Sequence, residues 1–545
     1  MSVKTPAQKI TLVGFVLMFF TSVLGFSNVS RGIFYMGQSS ILFYVFTGFS
    51  FFLPYSIICA EMGASFKNEK GGIYSWIEKS VGGSFGRKLG FITIFMWWFS
   101  YVVWMMNVAS MITIPLSYVL SPFIDGGFSH ATKMVKDLLG PVGMGLIGIV
   151  VISLITYLIT HGVTKLAKLA SVGGIAVMSL NVILIVCSLF ILISHGFHPA
   201  STYSWADMTT VPKFSKYAGD GLIGMVGLFG FAVYAIFAYG GVEAVGGLVD
   251  KLENPEKNVK RGLLIGAGVG IFVYCFGIFA ATWFIDRNSV QVMHDIMTTK
   301  QGGTGLFYAG NAVYYFMYTL GSTVGSSLHL SASACGTLGN IFAAYTGVSM
   351  FCALSGAFFV LIYAPLKQMI EGVPQGIFPA SWSKENKNGM PTVALMWQLG
   401  LVIFLVLIST LGGDAVADLV QNLVTLTNVT MTVPVIFIIY AYIHYLKNDK
   451  VEKPIRIFKS DGTGITMAWC AMLTIGFANL FTVAEPLIHV YMGDDVATNM
   501  KEALMSIGGV VVFAIIGWYM VARYERHCAE GKLPMPATEA ESSGK

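Results

Sequence analysis

The chain alternates long apolar stretches with short polar segments along nearly its whole length. Hydrocarbon offers the backbone no hydrogen-bond partner, so an apolar stretch of roughly 20 residues must satisfy its own N–H and C=O groups as a helix crossing a core about 30 Å thick. The pattern predicts an all-α polytopic membrane protein of 12 transmembrane helices. The first six lie near residues 11–37, 41–62, 90–120, 141–161, 170–195 and 221–249. The other six lie near 262–285, 337–366, 391–411, 418–446, 464–485 and 503–523. The first run is expected to stay as a helix, because further spans follow it and no small-residue cleavage site ends it.

Composition agrees: 55% of the 545 residues are hydrophobic and only 11% are charged, against about 25% charged in soluble domains. A soluble protein is excluded. Lys and Arg are retained on the cytoplasmic side of spans. With the N-terminus inside, 25 of the 33 basic residues fall in alternate segments on that side. Seven fall on the other (Lys133, Lys136, Lys213, Lys216, Arg287, Lys300 and Lys501), and Arg31 alone lies within a span. Both termini are therefore expected in the cytoplasm. The net charge of +5 is spread along these loops, which is a topology signal and gives no nucleic-acid partner. The seven cysteines are scattered without a CxxC pair and read as packing residues, and no metal site is expected from them.

Two spans are interrupted, and unwound backbone inside a membrane is tolerated only where it lines a cavity. The first runs smoothly to Phe20 and then continues through Gly25, Phe26, Ser27 and Asn28 to Gly32, residues that compete for backbone hydrogen bonds. A break is expected at Gly25 to Ser27. The sixth carries Phe237-Ala238-Tyr239-Gly240-Gly241-Val242-Glu243, so a Gly pair and a carboxylate sit inside an apolar stretch. Glu243 stands seven residues before Asp250, about 10 Å along an α-helix. The breaks open the two halves of a ten-helix core, residues 11–195 and 221–446, with 464–523 as two accessory helices and tails at 1–10 and 524–545. Amides near Gly25, Phe26 and Ser27 would offer a positive helix end to a substrate carboxylate. Freed carbonyls around Phe237, Ala238, Tyr239 and Gly240 would accept from an ammonium group. The alternative is that glycines only allow close packing, the reading given to the GxxxGxxxG of Gly262, Gly266 and Gly270.

The stretch Phe237 to Arg261, FAYGGVEAVGGLVDKLENPEKNVKR, resembles the helix 6 signature of the amino acid, polyamine and organocation transporter superfamily. Ala60-Glu61-Met62-Gly63, Gly71 to Trp76 and Tyr363 to Lys367 match family segments too. From Lys9 to about Arg523 the chain resembles the glutamate/γ-aminobutyrate antiporter branch and, within it, the YjeM-type permeases. The resemblance implies a bacterial inner-membrane protein with a LeuT-like fold: two inverted five-helix repeats plus two accessory helices, with alternating access around a central site. It makes Gly25, Phe26 and Ser27 the unwound part of helix 1, Phe237 a gating aromatic and Glu243 an acidic position tied to proton sensing or the inner gate. It also brings departures. Phe26 stands where the family usually has a small residue, span 5 carries Asn181 and no lysine, and the tail beyond His527 has no histidine.

Other candidates stand beside these. Glu243 is either a proton carrier or a permanently hydrogen-bonded structural carboxylate. Arg31 lies 22 residues after Lys9, roughly 33 Å of helix, which puts it near the outer rim as a snorkelling or vestibule residue; direct contact with substrate would favour acidic amino acids. Trp97, Trp98 and Trp104, with Tyr101, form either an aromatic surface for a substrate or ordinary packing and interface anchors. Thr346, Ser349 and Ser355 are weak Na⁺ candidates, or hydroxyls bonded to their own helix. The expected function is secondary active transport of an amino acid by antiport against another amino acid or an amine. Proton- or sodium-coupled symport is the alternative, and a non-transporting sensor or a channel a distant third. No nucleophile or phosphate loop stands in a chemical context, so no enzyme and no cofactor are proposed.

Overall fold

The computed structural model describes residues 9–69, 71–201, 205–209, 221–286, 312–411 and 429–533, together with 423, 426 and 427. The first apolar stretch is α1 (Leu12–Val23), α2 (Ser27–Met36) and α3 (Ser40–Thr47), then a π-helical turn and α4 (Leu53–Ser65). A short α5 (Ile73–Val81) precedes α6 (Gly83–Met111) and α7 (Thr113–Val119). Next come α8 (Phe128–Ile159), α9 (Val163–Ser194) and a single-turn α10 (Trp205–Thr209). After them α11 (Gly221–Phe237) leads into a 3₁₀ helix (Val242–Lys251) and α12 (Pro255–Ala281). The remainder is α13 (Ala312–Ser327), α14 (Ala332–Gly372), α15 (Thr392–Leu411), α16 (Val433–Lys447), α17 (Asp461–Met492) and α18 (Val496–Ala529).

Among the described residues there is no β-strand, and ten helical stretches are long and apolar enough to cross a membrane, the first running from Leu12 to Ser65. α16 is apolar but shorter. At the centre α1 packs against α9, α12 and α14. Small residues make this possible. A Cβ on Gly262 would lie 2.4 Å from the Phe15 ring, and one on Gly266 2.4 Å from Phe19. The glycine ladder of α12 thus seats the aromatic face of α1, as its spacing suggests. On the opposite flank a Cβ on Gly174 would lie 2.3 Å from the Leu17 carbonyl oxygen.

The helices differ from the expected spans in identifiable ways. α8 begins a dozen residues before 141 and kinks where Gly140 adopts φ 60° ahead of Pro141, since proline clashes with a preceding helical turn. α14 is 41 residues long and overruns its expected span at both ends, and α18 carries the last span to Ala529. α13 was not expected. Its Phe316 receives Phe26, Phe34 and Phe284 at ring-centroid distances of 6.4, 6.3 and 5.4 Å, which fixes α13 over α2. The opening of the expected tenth span, residues 418–422, lies outside the described residues, as do the loop cations Lys213, Lys216, Arg287 and Lys300.

Candidate functional site

Both expected breaks are present. α1 ends at Val23 and α2 starts at Ser27, so Leu24, Gly25 and Phe26 are outside any helix. The hydroxyls of Thr21 and Ser22 both turn back to the Met18 carbonyl, at 2.8 and 2.9 Å. The amide of Gly25 is taken: it donates to Tyr274 Oη of α12 at 3.0 Å. Among the described residues the amides of Phe26 and Ser27 have no acceptor, and they open α2, where a helix presents partial positive charge.

The second break spans 238–241. Gly241 adopts φ +99°, and a Cβ there would meet the Ser22 carbonyl oxygen of α1 at 2.9 Å, so the two breaks touch at a position only glycine fills. The Phe237 carbonyl accepts from the Gly240 amide at 3.0 Å, and the Ala238 carbonyl lies 3.2 Å from Tyr274 Oη. The carbonyls of Tyr239 and Gly240 accept from no described residue. Beyond the break the helix is 3₁₀, rising about 2.0 Å per residue, so the seven residues from Glu243 to Asp250 span about 14 Å of axis, against about 10 Å in an α-helix. Glu243 is 2% exposed. Its carboxylate accepts from Trp97 Nε1 at 3.0 Å and from Tyr55 Oη at 3.1 Å.

Two adjoining cavities of about 390 and 290 Å³ occupy the space between the breaks and share the walls formed by Thr21, Ser22, Trp104, Phe237, Gly240 and Ala357. The larger is bounded by Gly25, Phe26, Ser27, Asn28, Tyr234 and Ala238, and closed by Val177, Met350 and Leu354. The smaller holds Tyr101, Gly241 and Glu243 with Phe51, Leu361, Met431, Val435 and Ile475. A family model described as amino acid permease matches residues 10–521. The chain belongs to the amino acid permease family. The permease is 36% identical over 533 residues to the inner membrane transporter YjeM of Escherichia coli (strain K12), covering 98% of this chain and 99% of that one. More distant similarity reaches the aspartate/glutamate permease AcaP of Lactococcus lactis subsp. cremoris, 22% over 499 residues and 91% of each chain. The glutamate/γ-aminobutyrate antiporter of the same organism is 23% identical over 404 residues, 72% of this chain and 66% of that one. Family and helices together make the protein a multi-pass membrane transporter in the amino-acid class.

Not every sequence candidate reaches the cavities of the permease. Tyr239 is fully buried behind the break, stacked on Phe52 at 4.5 Å and donating to the Tyr44 carbonyl at 3.1 Å. Trp98 lies on a different face of α6, where its Nε1 donates to Gln398 at 2.7 Å beside a separate apolar groove against α15. Trp97 acts through Glu243, and Trp104 alone of the three lines both cavities. Arg31 is half-buried on α2 beside Tyr35 and Tyr234 and lines neither cavity. Thr346 bonds the Phe342 carbonyl at 2.8 Å, and none of Thr346, Ser349 and Ser355 lines either cavity. Asn181 bonds its own helix at Val177.

The sequence reading missed Tyr274 and gave Asn28 a part in the break but not its side-chain bonds. Tyr274 Oη accepts from Gly25 and from Asn28 Nδ2 (3.1 Å), and its proton is within reach of Val23 and Ala238 carbonyls, one on each broken helix. Asn28 in turn accepts from Tyr234 at 2.9 Å, and its backbone carbonyl accepts from Tyr44 at 3.1 Å. At the end of the bundle where α1 begins, Ile10 exchanges backbone bonds of 2.9 Å with Lys251 and Glu253. Asp250 pairs with the buried Lys367 of α14 at 2.6 Å, and Gln368 accepts from Ile73 at 2.8 Å. The beginning of α1, the end of the 3₁₀ helix and the end of α14 are thus joined on one side of the cavities.

Proposed function

We propose that the permease is an amino-acid antiporter of a bacterial inner membrane, exchanging one amino acid for another or for an amine by alternating access. The carrying observation is that Phe26 and Ser27, whose amides are unpartnered, and Gly240, whose carbonyl is open, line one cavity, a match for a carboxylate and an ammonium on one carbon. The names of the lactococcal relatives support an amino acid or amine as cargo. The proposal includes twelve spans arranged as two inverted repeats over 11–195 and 221–446, accessory helices within 464–523, and cytoplasmic ends at 1–10 and 524–545. Phe237, in the wall shared by the two cavities, is the gating aromatic.

Proteoliposomes preloaded with one labelled amino acid test this. External amino acids or amines are expected to accelerate its exit several-fold, and a uniform failure to accelerate defeats exchange. A second reading, proton-coupled uptake, is favoured by the buried Glu243. Under that reading an imposed pH gradient alone drives uptake and Glu243→Gln removes the effect. An unchanged pH dependence in Glu243→Gln leaves Glu243 as a structural carboxylate held by Trp97 and Tyr55.

A further inference from the structure

We infer that the site selects amino acids with large uncharged side chains, seated in the smaller cavity beside Glu243, and rejects acidic ones; this rests on the transport reading above. Among the described residues lining the two cavities there is no lysine, arginine or histidine, and Glu243 is the one carboxylate. An acidic side chain there would lose its hydration, meet no countercharge and lie near a like charge in a low dielectric, which is a built-in rejection. A carboxylate on the α-carbon escapes this cost because the α2 amides receive it. Arg31, the basic residue that would reverse the argument, lines neither cavity.

A basic side chain fares little better. The Glu243 oxygens already accept from Trp97 and Tyr55, and no second carboxylate is present to match the remaining donors of an ammonium or guanidinium. What the smaller cavity does offer is about 290 Å³ walled by Phe51, Leu361, Met431, Val435 and Ile475. Removing an apolar side chain from water into such a wall is the main favourable term available, and it grows with the area buried.

The test is homo-exchange in proteoliposomes: efflux of labelled leucine, phenylalanine, alanine, glutamate or arginine, each into the same unlabelled compound outside. Leucine and phenylalanine are expected to exchange faster than glutamate and arginine by about 10-fold or more at equal concentration. Ile475→Trp, which fills the cavity, is expected to lower the ratio of phenylalanine to alanine exchange by about 10-fold. Glutamate or arginine exchanging as fast as leucine overturns the selectivity while leaving transport intact, and an unchanged ratio in Ile475→Trp overturns the side-chain pocket. Absence of exchange with all five compounds defeats the transport reading and this inference together.

Discussion

Gly241→Val is expected to lower exchange by about 100-fold or more while the protein remains folded and monodisperse. Gly241 holds φ +99° at the point where the second break meets the first, and a Cβ would stand 2.9 Å from the Ser22 carbonyl oxygen. A β-branched residue in that region of backbone space costs of order 1–3 kcal/mol, and the added methyls push directly on α1. The two outcomes of that strain are a displaced Ser22 or a rewound 3₁₀ helix, and either changes the distance between the α2 amides and the 238–241 carbonyls. Misplacement by about 1 Å at such a site costs on the order of 100-fold. Counterflow rates beside thermal stability in detergent provide the check. A wild-type rate in Gly241→Val would mean that the contact between the breaks plays no part in transport.

Tyr274→Phe is the second large effect. The hydroxyl accepts from Gly25 and Asn28 and reaches carbonyls at Val23 and Ala238 on the two broken helices. Removing it leaves at least one buried donor without a partner, at about 1–3 kcal/mol each. It also frees Asn28, which Tyr234 and Tyr44 hold from the other side. Exchange is expected to fall about 10- to 100-fold, with a smaller loss in Tyr44→Phe, whose hydroxyl bonds the Asn28 carbonyl and Tyr234 without bridging the two broken helices. Equal rates in Tyr274→Phe and the parent would show that the break holds its shape without the bridge.

The positions of the breaks were legible because their cause is local. Gly25, Ser27 and Asn28 in one span and Gly240-Gly241 in another are poor helix formers wherever they stand. The Gly262, Gly266 and Gly270 ladder was legible for the same reason, since its spacing fixes one helix face. Tyr274 was not, because its partners are about 250 and 36 residues away in sequence and nothing near it in the chain marks it. The burial of the Tyr239 side chain was not legible, because helical phase is lost once the chain leaves α11 at Phe237. Trp97 and Trp98 are neighbours in sequence yet bond Glu243 and Gln398 from different faces of α6, about 100° of helical rotation apart. Phe26, which stands where the family usually has a small residue, lines the larger cavity, and its ring is held by Phe316 of a helix whose mixed Gly, Ser and Thr content concealed it.

The claim on which everything else depends is that the amide end of α2 receives the cargo. Ser27 opens that helix and lines the larger cavity. In a background with the seven native cysteines replaced, the rate at which a small maleimide labels Ser27→Cys measures access to the site. The account predicts that a saturating amino acid which exchanges in counterflow slows labelling by about 10-fold or more, and that one which does not exchange leaves it alone. Labelling at the same rate with and without a transported amino acid would contradict it.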